Sequence, residues 1–517
     1  MCQKNNMPNA IVRNVLTSIF LVVLCFVIGV ESAESAKASV GIIIALVGSV
    51  FLIWMGPRVW VLIYLVPPVM TLLPLPGKIA ELPVSFLIGG VVLFYWIVMW
   101  GMGYVKFHWR AHWPMDLIVT IIGIYMAISY YRHPVSMAVF GYDSDYIGGK
   151  EYVWCICAIA YYIAISAIPC TCEQLIRVLR WGIRLSLFAC VLAIVLSLLG
   201  IRGGTDITEL GEAATTSRFT MFVSLSIYGI FFLYGQYPMM QVLTTPRLLV
   251  GCLLCVCGIL ISGWREVLMS NCFVIAALAF VKKELWCLTL LGMLAYGGLL
   301  YLSSEGLVKM FPYGMQRCLT VAPGIEVSRD VEASAGDSSE WRVEMWRWAL
   351  DKRTKYIQDY VWGDGFGQSV DYLRRETTAM MRGTVAHGDQ DFYASTGTWH
   401  SGVITSIHRL GYIGLCIISL VYIYSIILMF RTCMVYRGTS LFLPAIFFLL
   451  PFAASPSLFY VSAGTITKFF TDFAYISLIK LMFCVAREQG LVHPLLMRKR
   501  YIPAVIQEQE SSPLPVR

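Results

Sequence analysis

Apolar positions in this chain come mostly in unbroken runs rather than at amphipathic spacing, and short polar or basic breaks separate them. Fourteen runs approach or exceed the length a helix needs to cross hydrocarbon: 10–30, 39–55, 59–75, 84–103, 115–131, 152–169, 182–201, 218–235, 248–262, 267–281, 285–302, 410–430, 441–460 and 469–485. At 1.5 Å of rise per residue, about 20 apolar residues match the roughly 30 Å bilayer core. The breaks at Gly56-Pro57-Arg58 and Lys282-Lys283-Glu284 leave room only for tight hairpins between antiparallel helices. The pattern predicts an all-α fold, a polytopic transmembrane helical bundle of about 12–14 spans.

One segment departs from it. Residues 303–409 hold no apolar run of membrane length. Within them Trp341, Met345, Trp348 and Ala349 recur at helical spacing, predicting an amphipathic helix from about Ser338 to Ile357. Ser338 or Ser339 is the expected cap, with Glu340 in the first turn. GDGFG at 363–367 reads as a tight turn, and 376–399, with Gly383, Gly388 and Gly397, as a mobile loop. The organisation expected is therefore N-terminal spans over 1–179, central spans over 180–302, a large loop over 303–409, C-terminal spans over 410–485 and a cytoplasmic tail over 486–517, whose terminal QEQESSPLPVR reads as disordered.

Composition agrees: 58% of the 517 residues are hydrophobic and 14% charged, too few to cover a soluble protein of this size. Charge then orients the chain. With the amino terminus inside, the short inner loops hold Arg58, Lys106, Arg110, Arg177, Arg180, Arg184, Arg247, Lys282, Lys283, Arg431 and Arg437 against Glu173 and Glu284. Basic residues in the short outer loops are outnumbered by acidic ones, so the positive-inside tendency places the 303–409 loop outside. The formal charge of +8 is explained by this anchoring and points to no nucleic acid. The first run, with Lys4 before it and Arg13 near its start, reads as a signal-anchor helix, with a cleaved signal peptide as the alternative. The sixteen cysteines lie almost all in or beside the runs, where they act as small hydrophobes; Cys318 alone falls in the large loop.

Candidate chemistry gathers on the outer side. GTWHSGVITSIHRLGYIGL, 397–415, is polar and then enters an apolar run that needs only 410–430 to cross. The helix is expected to begin earlier, projecting about 15 Å above the bilayer, with His400, Ile404, His408, Gly411 and Leu415 on one stripe. His400 and His408 would stand about 12 Å apart along the axis, too far to share a metal ion. Arg218 opens the eighth run and Arg265 follows the ninth, both outside. Arginine forks suit phosphate oxygens, and a neutral histidine suits proton abstraction from a hydroxyl. Together they fit a lipid-linked pyrophosphate, although arginines at helix ends also snorkel to headgroups. Arg342 has stacking on Trp346 as its structural alternative. His387 and Asp389 read as solvated loop or acceptor contacts, and Lys468 with Asp472 as an ion pair.

HSGVITSIHRLGYIGL at 400–415 resembles the HN-x-[aromatic]-L-x-x-x-x-E-x-G-x-x-G segment of bacterial O-antigen ligases and O-antigen polymerases, with His400, Gly411 and Gly414 in register. Arg342, Trp346, Ala349 and Leu350, followed by GDGFG, are similar to that family's R-x-x-x-W-x-x-A-L…G-x-G-x-G pattern. Arg218 and Arg265 resemble its two arginines. The resemblance covers roughly 180–430. Ser401 stands where the family has asparagine, and Arg409 where it has an acidic residue.

That resemblance implies a metal-independent glycan transferase with no cofactor, in the bacterial inner membrane with its site facing the periplasm. It would move a saccharide from an undecaprenyl-pyrophosphate donor to a lipid A–core or growing-glycan acceptor. By that resemblance His400 would be the base, Arg218 and Arg265 would hold the diphosphate and Arg342 would touch substrate; Arg409, where the chain departs from the family, is instead read as a further cation for the diphosphate. Ligation, polymerisation and transfer to protein are not separable by sequence. The alternatives are a non-enzymatic transporter or flippase for a lipid-linked glycan, for which charges and broken helices are expected near the midplane, and a scaffold or sensor whose outer loop binds a partner.

Overall fold

The computed structural model describes chiefly residues 106–135, 146–167, 170–178, 232–261, 265–353, 356–369, 399–446 and 466–490, with isolated positions elsewhere. The runs at 10–30, 39–55 and 59–75, the run at 182–201 for the most part, residues 376–398 of the loop and residues 491–517 of the tail lie outside the described residues. So do Arg218, His387, Asp389 and the side chain of Lys468.

What is described is all-helical apart from two-residue ladders. The longer helices are α1 (Trp113–Arg132), α2 (Lys150–Ala167), α3 (Met239–Thr244), α4 (Pro246–Ile261), α5 (Arg265–Lys282), α6 (Leu285–Ser304), α7 (Tyr313–Leu319), α8 (Arg329–Leu350), α9 (Gly402–Tyr436) and α10 (Ile466–Glu488). Seven of them, α1, α2, α4, α5, α6, α9 and α10, coincide with apolar runs. Among the described residues α1, α6 and α9 are long and apolar enough to cross a membrane, while α2 and α4 are apolar but shorter. Leu290, Met293, Leu294 and Leu300 of α6 are exposed, a surface that suits hydrocarbon better than water.

The main core lies among α1, α2, α9 and α10, with Tyr125, Tyr162, Tyr422, Phe469 and Phe473 buried inside it. It also holds a charge. Lys480 of α10 is 1% exposed; its ammonium bonds Asp116 Oδ1 at 2.6 Å and Ser166 Oγ at 2.7 Å. The rings of Tyr162 and Trp109 face it at 4.2 and 4.8 Å, and Tyr162 donates to the same carboxylate. Aromatic faces and a carboxylate together supply what an ammonium loses on leaving water.

Contacts between elements sort into two ends. At one, Arg110 pairs with Glu488 and donates to the Cys170 carbonyl, Lys282 donates to the carbonyls of Tyr234 and Tyr237, and Arg437 donates to the Lys282 carbonyl. At the other, Arg132 pairs with Asp359, Tyr146–Ile147 forms a ladder with Gln368–Ser369, and α5 meets α7 and α8. Each set joins residues that the charge pattern puts on one side.

The large loop is folded against this second end. The helix expected over about 338–357 instead spans Arg329–Leu350, so Ser338 and Ser339 lie inside it and do not cap it. Its apolar stripe reaches back through Ala335 to Val331, which is buried with Val308, Leu319 and Val327, and Asp330 and Glu332 supply the acidic first turn. Packing of that first stretch outweighs the serines as a start signal.

α9 does begin ahead of residue 410, at Gly402, where Ser401 Oγ accepts from the Ile404 amide. It is not one continuous rod. Gly411 has φ 65°, ψ −175°, and the 359–365 turn docks into the break. Asp364 N donates to His408 O at 2.8 Å, Gly365 N to Arg409 O at 3.1 Å and Tyr412 N to Tyr360 O at 2.8 Å, while Tyr125 OH donates to the Leu410 carbonyl. These partners satisfy groups the break releases. A Cβ on Gly411 would fall 2.2 Å from the Val361 oxygen, and one on Gly363 2.5 Å from the Gly411 nitrogen.

Lys480→Met, which leaves the Asp116 carboxylate with the Tyr162 hydroxyl and the His112 amide but without its cation, is expected to destabilise the protein by about 1–3 kcal/mol, and the Asp116→Asn/Lys480→Met double variant by less than the single one. Thermal unfolding of the detergent-purified protein checks this; a double variant no more stable than the single one contradicts a coupled pair.

Candidate functional site

His400 lies between two pinned neighbours. Trp399 is fully buried; its indole N–H donates to His408 Nδ1 at 2.9 Å, its amide N–H to Thr405 Oγ1, and its carbonyl accepts from Trp346 Nε1 at 2.8 Å. On the other side Ser401 caps α9, and Gly402 is pressed against Phe459. With both neighbours fixed, His400 takes φ 47°, in the left-handed region that costs a non-glycine residue about 1–3 kcal/mol. It therefore sits outside α9 and off the stripe expected to carry it. Its ring meets Trp341 of α8 edge-on, with centroids 5.8 Å apart.

Three arginines converge nearby. Gly263, in the SGWR turn before α5, has φ 71°, and a Cβ there would come 3.3 Å from the Gly314 Cα. That close backbone approach docks α7 on the start of α5 and brings Arg317 to Arg265. Arg265 Nη1 donates to the Ala335 carbonyl of α8 at 3.3 Å. Two turns further on α8 is Arg342, whose Nη1 lies 3.2 Å from Glu266 Oε1. Burial first, then the guanidiniums of Arg317 and Arg342, push the Arg265 pKa down against the opposing pull of Glu266.

The same charges reach His400. Burial, followed by Arg342, lowers its pKa below the ordinary histidine value, while Glu266 acts in the opposite sense. The imidazole is thus neutral near pH 7, the form that can take up a proton. Because an unfolded His400 would bind its proton more readily than the folded one, this residue's contribution to stability is present above about pH 6.5 and lost as the pH falls below it.

The structure thus brings together Arg265, Arg342 and His400. Arg409 stands elsewhere: it is buried and donates to the carbonyls of Gly365 at 3.0 Å and Gly367 at 3.2 Å, holding the turn against α9. Arg342 pairs with Glu266, and Trp346, its expected stacking partner, is engaged with Trp399. Asp472 accepts from Tyr422 OH at 2.9 Å. Glu266 and Arg317 were not singled out in the sequence. Glu266 carried a weak signal as the neighbour of Arg265; Arg317 carried none, since only the Gly263–Gly314 crossing makes it part of the cluster. Among the described residues no group of three histidine, cysteine or acidic side chains is placed to hold a metal ion.

Chemically, the cluster offers three cations, one carboxylate and a neutral base. Compared with known proteins, the chain matches no family model and no curated protein.

Arg342→Gln removes a cation from beside the imidazole and is expected to raise the His400 pKa toward its ordinary value. Histidine NMR titration of the full-length protein checks the direction; an unchanged or lowered value contradicts the placement.

Proposed function

We propose that this protein is a multi-span membrane glycan transferase, acting on a polyprenyl-pyrophosphate donor at one membrane face. The observation that carries the reading is the convergence of Arg265, Arg317 and Arg342 with a strained, neutral His400. Three guanidiniums against one carboxylate leave a positive surplus suited to a diphosphate. His400 takes the proton of an acceptor hydroxyl, and the oxygen bonds to the anomeric carbon as its bond to the diphosphate oxygen breaks. The diphosphate departs with the electron pair, its charge held by the arginines, and the histidine proton passes to it or to water.

The polytopic reading is supported by the apolar runs and by contacts that sort into the two loop sides expected from charge. Under it the site faces the periplasm of a bacterial inner membrane, and a lipid A–core or a growing glycan is the acceptor. Arg218 falls at the same side by charge pattern and belongs to the proposed diphosphate set. The resemblance to O-antigen ligases and polymerases points the same way.

A lipid-linked glycan flippase is the second reading, favoured by the buried Lys480–Asp116 pair and the broken α9, features common in transporters. Purified protein supplied with a polyprenyl-pyrophosphate glycan and candidate acceptors separates the two. The transferase reading expects product, lost by about 10²–10⁴-fold in His400→Ala and about 10²–10³-fold in Arg265→Ala, with both variants still folded. Near-wild-type transfer by Arg265→Ala removes the diphosphate role; lipid movement across proteoliposomes without product favours the flippase.

A further inference from the structure

A carboxylate within a site built for an anion needs a reason. Among the described residues, the acidic group acting on Arg265, Arg342 and His400 is Glu266. As a first-turn residue of α5 it is also well placed for the helix dipole. A dipole role alone would be met by a side chain pointing to water, yet Glu266 is 18% exposed and directed at Arg342 on α8.

We propose that Glu266 is an exchangeable counterion: it holds Arg342 while the site is empty, yields Arg342 to the donor's diphosphate, and then serves His400. This rests on the anion-site reading above and adds a sequence of contacts to it. With no substrate present, three partly buried guanidiniums repel one another, and one carboxylate keeps Arg342 in place. A diphosphate carries more charge and more acceptor oxygens than a carboxylate, and it presents them to several arginine forks at once. Once displaced from Arg342, Glu266 remains beside His400, where a negative charge favours the protonated imidazole. The base would therefore strengthen only when the donor is bound, which guards against wasteful proton transfer in an empty site.

The charged groups acting on His400 are Arg342 of α8 and Glu266 of α5, and Trp341 of α8 faces its ring; Arg317 of α7 acts one step away, on Arg265. Arg265, Arg317, Arg342 and Trp341 are all still present when Glu266 is changed. Removing the carboxylate therefore makes a prediction opposite to that of an ordinary structural ion pair. A pair that merely positions Arg342 would lose anion affinity when broken, whereas a competing counterion would release it.

The test measures binding of inorganic pyrophosphate and of farnesyl pyrophosphate to full-length protein in detergent, for wild type, Glu266→Gln and Glu266→Ala. The expected result is affinity about ten-fold tighter in both variants, with a lower kcat for transfer, so that the binding and rate effects have opposite signs. The Ala variant keeps the test decisive if the Gln variant does not fold. Unchanged or weaker binding in the folded variants, with normal binding by wild type, overturns the counterion role and leaves the anion site standing. Failure of wild type to bind either compound overturns both. Pyrophosphate bound as tightly as farnesyl pyrophosphate assigns the site to a soluble anion and overturns the lipid donor, with the exchange judged on the variants.

Discussion

Everything at this end of the molecule depends on the backbone contact between Gly363 and Gly411. α8 carries Arg342 and α9 follows Trp399 and His400, and the chain between them passes through the 359–365 turn. Seating that turn in the break of α9 returns the released carbonyls of His408, Arg409 and Leu410 to hydrogen bonds. Asp359 and Asp364 complete the joint by accepting from the amides of Val361, Trp362, Gln358 and Asp359. Unmade, those bonds would each cost about 1–3 kcal/mol in a buried setting. The joint, with the Trp346–Trp399 bond above it, brings the arginine and the imidazole to one place.

Within this frame the site shows how strain and charge are combined. The left-handed backbone of His400 is held by anchors on both sides, and burial of its ring keeps the imidazole neutral. The surplus of guanidinium over carboxylate is an unfavourable arrangement for an empty protein and a favourable one for a protein that binds an anion. Stability given up at the site is recovered in the aromatic packing of Trp341, Trp346, Trp348 and Tyr356 around Met345, Ala349 and Trp399.

Much of this could be read from the chain, for identifiable reasons. Long apolar runs signal helices whatever surrounds them, so α1, α2, α4, α5, α6, α9 and α10 were legible. Arg265 and His400 stood out in the sequence by polar character near an apolar run, whereas Arg342 was picked out only by the resemblance. The start of α8 was not legible, because Val331 and Ala335 show their value only against Val308 and Leu319. The position of His400 outside the helix was hidden too, since nothing in GTWHS announces that Trp399 is anchored by His408 nine residues on. Arg409, odd as a cation beside a long apolar run, makes sense once the carbonyls of Gly365 and Gly367 are seen around it. The buried Lys480 and Asp116 sat within apolar runs without a visible partner, and only the packing of α10 on α1 and α2 joins them.

The Gly363–Gly411 joint has a consequence for how such a chain can diverge. Each position is closed by the other's backbone and by positive φ, so no side chain introduced at one can be accommodated by a change at the other. Drift at these two places is forbidden jointly, while the polar surface around them is free to vary. A distant cousin with little else in common would therefore be recognised by this pair of glycines, one in a turn and one in a helix, rather than by overall likeness.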